Sequence, residues 1–543
     1  MKTCGQNFRV ERALRKMGFV FEGDKLEKVS LTRFDLKEKY KVRRNEEILF
    51  RACVKILTAL HSTRVSEYQW RILIGNWVRR LSHYSYFRRS ILGIEALAEH
   101  KSVRKDTLRL GVDLVNTTGD IQSILFNSHE VNKRYLFAVQ CQIDLNKLDI
   151  DYRYSKGIEN IKSSVMSRVK AYVIFCIEGL FRWLPRNDFF ERTYVMVGAL
   201  NFNVIDKIIF LFHLRPFILF KPFPDYICCR KPDYVKRRQF LNLIISEMEA
   251  ERISYDQALG LLLFTPMCLI EEFHARSCYA TSLGKFETFV TDNSYDTDED
   301  YKMLTARNSN EKKFRNLILQ HGNNYLVHAA FSPMVEEKTA SAFGYWGSLR
   351  RVDSFTIGMS RRRLLPVMRL PIFRDNKILV VVNNMQHREN IWNDFAAQRF
   401  QYVKFKKLAH YLDPDDYILR VRDLMDARFL KLARRFNCDL MDGSRVSFER
   451  CAPNYSVVIF LFDSTGFLQC ISSDIPAILI TSKWEMSFVR GKVRQIYDGL
   501  QDVGIINYIE DSGTLASIGA EIKNDVLRRK LLAAQVSDSY LRF

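Results

Sequence analysis

The chain lacks the signatures by which several large function classes declare themselves. Its eleven cysteines include no Cys-x-x-Cys pair and no alternation with histidine. The adjacent Cys228-Cys229 suit neither a zinc ligand set nor an easy disulfide. Reduced thiols in a cytoplasmic protein are the expectation. The opening residues, MKTCGQNFRVERALRKMG, hold no apolar core of a secretory signal. No uninterrupted run of about 18–20 apolar residues exists. The best stretch, beginning at Val204, is broken by Lys207, His213, Arg215, Pro216, Lys221, Pro222 and Pro224. It reads as a buried helix-and-strand unit, with attachment to a bilayer surface through its aromatic and basic side chains as the alternative. No P-loop, His-Glu-x-x-His or Ser/His/Asp signature occurs, which argues against kinase-like, zinc-protease and hydrolase chemistry. No internal repeat or low-complexity tract is evident.

What is present describes a large, basic, globular chain. Its 543 residues exceed one ordinary core, so two domains or more are expected. Hydrophobic residues make up 47% and charged residues 27%, which excludes disorder. Set against 62 Asp and Glu, 83 Lys and Arg leave a formal net charge of +21. That favours an anionic partner: nucleic acid, an acidic membrane surface or a phosphate-bearing substrate. The charge is dispersed in short clusters such as Lys41-Val42-Arg43-Arg44, Arg79-Arg80, Lys236-Arg237-Arg238 and Arg361-Arg362-Arg363, each of which reads as a solvated face. With no zinc-finger or RNP-like motif, nucleic acid is the weakest of the three partners.

Along the chain, residues 1 to about 130 read as mostly helical, as in EEILFRACVKILTALH and WRILIGNWVRRLSHYSYFRRSI. From about 170 to 265 apolar stretches alternate with basic helical ones. The acidic segment VTDNSYDTDEDYKML, from Val290, matches no calcium loop and reads as solvated. Beyond it, strand-like runs (FRNLILQ, KILVVVN, DYILRVR, SVVIFLF, PAILIT) alternate with helical ones. Short continuous apolar strands between helices predict a parallel sheet covered on both faces, an α/β doubly wound fold.

Such sheets bind ligands at the carboxyl ends of their strands. The residues after each strand therefore form one set: Gln320-His321-Gly322, Asn383-Asn384, Arg422-Asp423 and Asp463-Ser464-Thr465-Gly466. In the last of these, Ser464 and Thr465 stand where hydroxyls and free helix N–H groups point at one volume, suited to a diphosphate. Plain N-capping is the alternative. His321, with Gly322 behind it, can serve as a general base or hydrogen-bond a phosphate, or can be structural.

Three blocks then carry a resemblance. HSTRVSEYQWRILIGNWV holds His61, Ser66, Trp70, Arg71, Gly75 and Trp77; the second block is Gln320 to Leu326 with Tyr345-Trp346-Gly347; the third runs from Ser464 to Gln469, then Ile475-Pro476 and Trp484-Glu485. As a set they resemble a transferase family of bacterial O-antigen and surface-polysaccharide gene clusters. The resemblance implies a GT-B architecture, with two Rossmann-like doubly wound domains facing a cleft and a helical N-terminal region. The division expected is 1–355, helical plus an acceptor-side α/β domain, and 356–543, a nucleotide-sugar-binding domain. It further implies that His321 is catalytic. Ser464, Thr465, Gln469, Arg420, Arg422, Asn383, Gln320 and Gly322 would bind the donor and its phosphates, while His61, Trp70, Arg71 and Trp77 match the family without an assigned role. The expected substrates are a nucleotide-activated sugar and a glycan or lipid-linked acceptor, with neither metal nor cofactor, in the cytoplasm or on the inner membrane face. A scaffold retaining the fold with weakened activity is the alternative. The chain departs from the family pattern at Asn76, where the family has proline, at Asn323 and Leu326, where it has glycine, and at Gln469, where it has glutamate.

Overall fold

The computed structural model describes residues 36–92, 108–114, 117–118, 135, 144–154, 195–198, 217–219, 231–320, 322, 334–346, 354–357, 375–382, 395–421, 427–443, 445–472, 475–487, 489 and 491–523. Two long helices come first, α1 (Leu36–His61) and α2 (Glu67–Leu92). In α1, Leu49, Phe50, Cys53, Ile56 and Leu57 recur at helical spacing and are buried. A capping box starts α2: the Ser66 hydroxyl accepts from Gln69 N at 3.2 Å and Gln69 Oε1 accepts from Ser66 N at 2.9 Å.

From Gln69 to Ser85 almost every residue of α2 is buried, polar ones included. Trp70, Ile74, Trp77 and Leu81 enter the first hydrophobic core. Gly75 lets a later helix approach, since a Cβ there would stand 2.5 Å from Val335 Cγ1.

Strands β1 (Leu108–Leu114) and β2 (Leu148–Tyr154) pair in parallel as a separate ribbon. Much of the region expected to be helical is helical, but β1 lies within it. The first large sheet begins with β3 (Val195–Val197) and β4 (Phe217–Leu219). Helices α3 (Tyr234–Glu249), α4 (Tyr255–Phe264) and α5 (Phe273–Ser282) follow. Then come β5 (Thr288–Thr291), α6 (Glu299–Asn308), β6 (Arg315–Leu319), the short α7 (Val335–Thr339), β7 (Ala342–Trp346) and β8 (Ser354–Ile357). The sheet order is β4-β3-β5-β6-β7-β8 and every pairing is parallel. Because the chain steps outward from β3 to β4 and returns across β3 to β5, the order reverses between β3 and β5.

The second sheet contains β9 (Asp375–Val382), β10 (Tyr417–Val421), β11 (Asp439–Asp442), β12 (Tyr455–Phe460), β13 (Ala477–Thr481) and β14 (Ile506–Tyr508). Helices α8 (Phe395–Ala409), α9 (Ala427–Arg435), α10 (Thr465–Ser472), α11 (Lys483–Met486), α12 (Gly491–Asp502) and α13 (Ser512–Lys523) alternate with them. The order is β11-β10-β9-β12-β13-β14, again wholly parallel. Counted from β9 this is 3-2-1-4-5-6, the Rossmann strand order, whose reversal falls between β9 and β12. Ile378 to Val382 and Val457 to Leu461 are buried throughout, as strands covered on both faces must be. Trp484, on α11 of this second unit, packs against the first core.

The close approach at Gly75 is testable. Gly75→Ala should lower unfolding free energy by about 1–3 kcal/mol through overpacking, measured by urea denaturation. Adding Val335→Ala, which removes the obstructing methyls, should return part of that loss.

Candidate functional site

Strand β12 runs out at Phe460, and Leu461 N still donates to Val381 O at 3.1 Å, so the chain leaves the sheet beside β9. Ser464 is the N-cap of α10: its hydroxyl accepts from Phe467 N at 3.3 Å, and its carbonyl accepts from Phe467 N at 3.1 Å and Leu468 N at 3.4 Å. Capping uses an oxygen lone pair and not the O–H, which can still donate to a ligand oxygen. Thr465 opens the helix half-buried. Gly466 seats that first turn on the sheet, since a Cβ there would meet Phe448 at 3.1 Å and Phe460 at 3.2 Å. Gln469, one turn in, lies on the buried side of α10.

On the first sheet, β6 is followed by Gln320, whose N–H donates to Gly344 O at 2.8 Å. Its side-chain amide donates to Gly322 O, also at 2.8 Å. A Cβ on Gly322 would stand 4.0 Å from the Thr465 hydroxyl. The end of β6 and the N-terminus of α10 therefore meet, although they belong to different sheets. His321, Asn383 and Arg422 lie outside the described residues.

Arg420 reaches the loop after β11 and the Phe448 ring that packs on Gly466. Its Nη2 donates to the carbonyls of Gly443 at 3.2 Å and Val446 at 2.9 Å, and its guanidinium lies 5.6 Å from the Phe448 ring centroid. It thus holds the loop after β11, one strand away from β9.

Sequence reasoning missed the residues that anchor the Ser464 loop. Lys404, fully buried on α8, donates to Leu461 O at 3.0 Å and to Glu485 Oε2 at 2.6 Å. Burial pulls the Lys404 ammonium below its ordinary pKa, and the Glu485 carboxylate opposes that shift. Tyr497 OH donates to Asp463 Oδ2 at 2.8 Å. A signal existed: Lys404 falls with Gln401, Phe405 and Leu408 on the inward face of α8, where a lysine requires a partner.

The acidic segment expected to be solvated is instead interior. Thr291, Asp292, Ser294, Tyr295, Asp296, Glu299 and Asp300 are all buried at the carboxyl end of β5 and the start of α6. The cause is the company they keep. Arg79 and Arg80, read from sequence as a solvated face, are buried on α2, and Arg80 is ion-paired with Asp296. Asn76 Nδ2 donates to Asp296 Oδ1 at 3.2 Å and Glu336 Oε1 at 3.3 Å, giving the residue that replaces the family proline a defined task. Lys302 pairs with Glu299 at 2.8 Å, and Arg276 with Glu272 and Asp300. Arg237, from another cluster read as solvated, is buried against Glu271 at 2.8 Å. Among the described residues no group of three or more His, Cys, Asp or Glu is placed to hold a metal ion.

The first sequence block packs helices. Trp70 Nε1 donates to Thr58 Oγ1 at 3.0 Å, and Trp77 Nε1 to Phe264 O at 3.3 Å. Arg71 forks onto Glu47 at 2.8 and 3.1 Å and lies over the Phe50 ring. His61 Nε2 lies 2.7 Å from Leu269 O, and the ring stacks on Phe273. Burial pulls the imidazole pKa down from 6.5 to about 4, so the ring is neutral at physiological pH and Nε2 donates. The sign follows. A depressed folded pKa means that the unfolded chain binds the proton first, so stability is full above about pH 6.5 and falls as the pH drops toward about 4. Relative to His61→Gln, the unaltered chain should lose about 2 kcal/mol of unfolding free energy between about pH 7 and about pH 5, read from urea titrations at both values. A parallel dependence in the two proteins would refute it.

Residues 24–528 match the LIC12162 family transferase model. No curated protein matches the chain. Among solved structures, the wall teichoic acid polymerase TagF, in a variant form soaked with CDPG, is similar at 10% identity. The alignment covers 68% of this chain and 90% of that one, with a TM-score of 0.32. Another structure of that polymerase gives 11% identity over 69% and 90%, with a TM-score of 0.30.

Proposed function

Because the chain belongs to the LIC12162 family of transferases, we propose that it is a glycosyltransferase of GT-B layout. It would move a sugar from a nucleotide-activated donor to a glycan or lipid-linked acceptor in surface-polysaccharide synthesis. One observation carries this reading: Gly322, in the segment after β6, lies beside the Thr465 hydroxyl at the start of α10. A catalytic residue offered by one sheet and a phosphate site offered by the other would then address the same bond.

In this reading the cleft lies between the carboxyl ends of the two sheets. The first-turn N–H groups of α10, with the Ser464 and Thr465 hydroxyls, receive the donor diphosphate and stabilise the charge that grows on it. His321 takes the acceptor hydroxyl proton as the acceptor oxygen bonds to the anomeric carbon. The bond from that carbon to the phosphate oxygen breaks, and its electron pair leaves with the nucleoside diphosphate. Gln320, through its hydrogen bond to Gly322 O, would support the neighbouring His321 in this role. The charge of +21 suits an acceptor at an anionic inner membrane face, and no described helix is long and apolar enough to cross a membrane. A scaffold with weakened catalysis is the second reading, favoured by the buried orientation of Gln469.

The donor is found by screening UDP-, GDP-, CDP- and CMP-linked sugars for thermal stabilisation. His321→Ala should abolish transfer at unchanged Tm. Joint replacement of Ser464 and Thr465 by alanine should weaken donor affinity about 10–100-fold, the worth of hydrogen bonds to charged oxygens. No stabilisation by any donor, together with no turnover by the unaltered chain, would replace the enzyme reading with the scaffold; turnover unaffected by His321→Ala would overturn the role of His321.

A further inference from the structure

We propose that Lys404, acting with Glu485, is a positioning residue that sets the Asp463–Thr465 loop, and with it the N-terminus of α10, for an anionic diphosphate. This deepens the donor-site reading and rests on it for the identity of the ligand.

The loop has few means of holding itself. It leaves β12 at Phe460 and must turn within four residues into α10. Leu461 is the last residue whose N–H stays in the ladder, through Val381 O. Its carbonyl has left the sheet and accepts from Lys404 Nζ at 3.0 Å. The same ammonium contacts Glu485 Oε2 at 2.6 Å. That oxygen also accepts from Thr481 Oγ1 at 3.0 Å and Ser482 N at 2.9 Å, at the end of the neighbouring strand β13. A single buried cation thus ties the end of β12 to the end of β13. Two residues on, Asp463 accepts from Tyr497 OH of α12. The loop is pinned at both ends, and Ser464 and Thr465 follow at once.

A buried ion pair is a poor route to stability, because well-packed apolar residues of similar size serve as well. Its usefulness here is directional. The ammonium donates along fixed vectors to a carbonyl and a carboxylate, and no aliphatic side chain can orient a carbonyl. A helix N-terminus binds phosphate through N–H groups whose aim depends on where the helix starts, so that starting point has to be specified. Lys404 acts on the loop through Leu461 O and Glu485.

The test removes the pair without leaving a lone buried charge, using Lys404→Met with Glu485→Gln, which keeps an N3 side chain able to cap Ser482. Two measurements are made on the full chain. Amide hydrogen exchange is compared at Phe467 and Leu468, which Ser464 caps, and at Val457 to Ile459 in β12. Affinity for inorganic pyrophosphate, and for whichever nucleoside diphosphate stabilises the unaltered chain, is taken by calorimetry. Protection at 467 and 468 should fall about tenfold and anion affinity about tenfold, while strand protection and Tm hold. Unchanged protection at 467 and 468 in the folded double variant overturns the positioning role, whatever the ligand. Lost protection in a chain that binds neither pyrophosphate nor any nucleotide upholds the positioning of the loop and overturns the donor reading instead. Should the double variant unfold, Glu485→Gln alone decides by the same exchange measurement, with a smaller loss at 467 and 468 expected and none overturning the role.

Discussion

The burial of α2 constrains everything in the first half of the molecule. A helix enclosed from Gln69 to Ser85 can carry tryptophan and leucine at no electrostatic cost, but it also carries Asn76, Arg79 and Arg80. Leaving such an arginine unpaired in the interior costs about 3–5 kcal/mol. Arg80 therefore requires Asp296, and Asp296 can reach it only if the chain after β5 folds back over the strand ends. Asn76 draws in Glu336 and the start of α7 by the same means. The carboxyl edge of the first sheet at β3 and β5 is consequently filled by the protein's own polar groups. The end of β6, one strand further along, is where the edge meets the second unit.

The second sheet was the more legible half, for a physical reason. Buried parallel strands read as continuous apolar runs, and ILVVV, YILRV, VVIF and AILI became β9, β10, β12 and β13. The end of β12 was legible too, because Asp-Ser-Thr-Gly combines a cap, a hydroxyl and a close-packing glycine in four residues. Strands such as β3 and β14 have only three residues and offer no periodicity to detect. The acidic segment failed for a different reason. Its carboxylates are spaced as they would be on a solvated loop, and Arg80 and Arg276, from outside the segment, make them interior together with the local Lys302. Charge alone does not reveal burial when the partner lies far away in sequence.

The first block shows the limit of reading a role from a motif. His61, Trp70, Arg71 and Trp77 are joined by hydrogen bonds and ring contacts to helices α1, α4 and α5 and the turn before α5. Their recurrence marks a packing unit that fixes α1 against α2. Among the described residues Gly322 and Thr465 approach one another between the two units, with Gln320 and Lys404 behind them holding backbone.

The strand order also dictates how this chain must be assembled. β3 finds its inner neighbour only when residues near Thr288 are available, since Val195 pairs with that residue. At a synthesis rate of about 5–20 residues per second, the wait is roughly 5–20 seconds. The second sheet repeats the situation, with β9 flanked early by β10 but not by β12 until Tyr455 emerges. During these intervals β3 and β9 each expose one unpaired edge. A fold built from two inward-returning parallel sheets is therefore born with β3 and β9 open on one side, and its yield in a cell depends on what shields them until the later strands arrive.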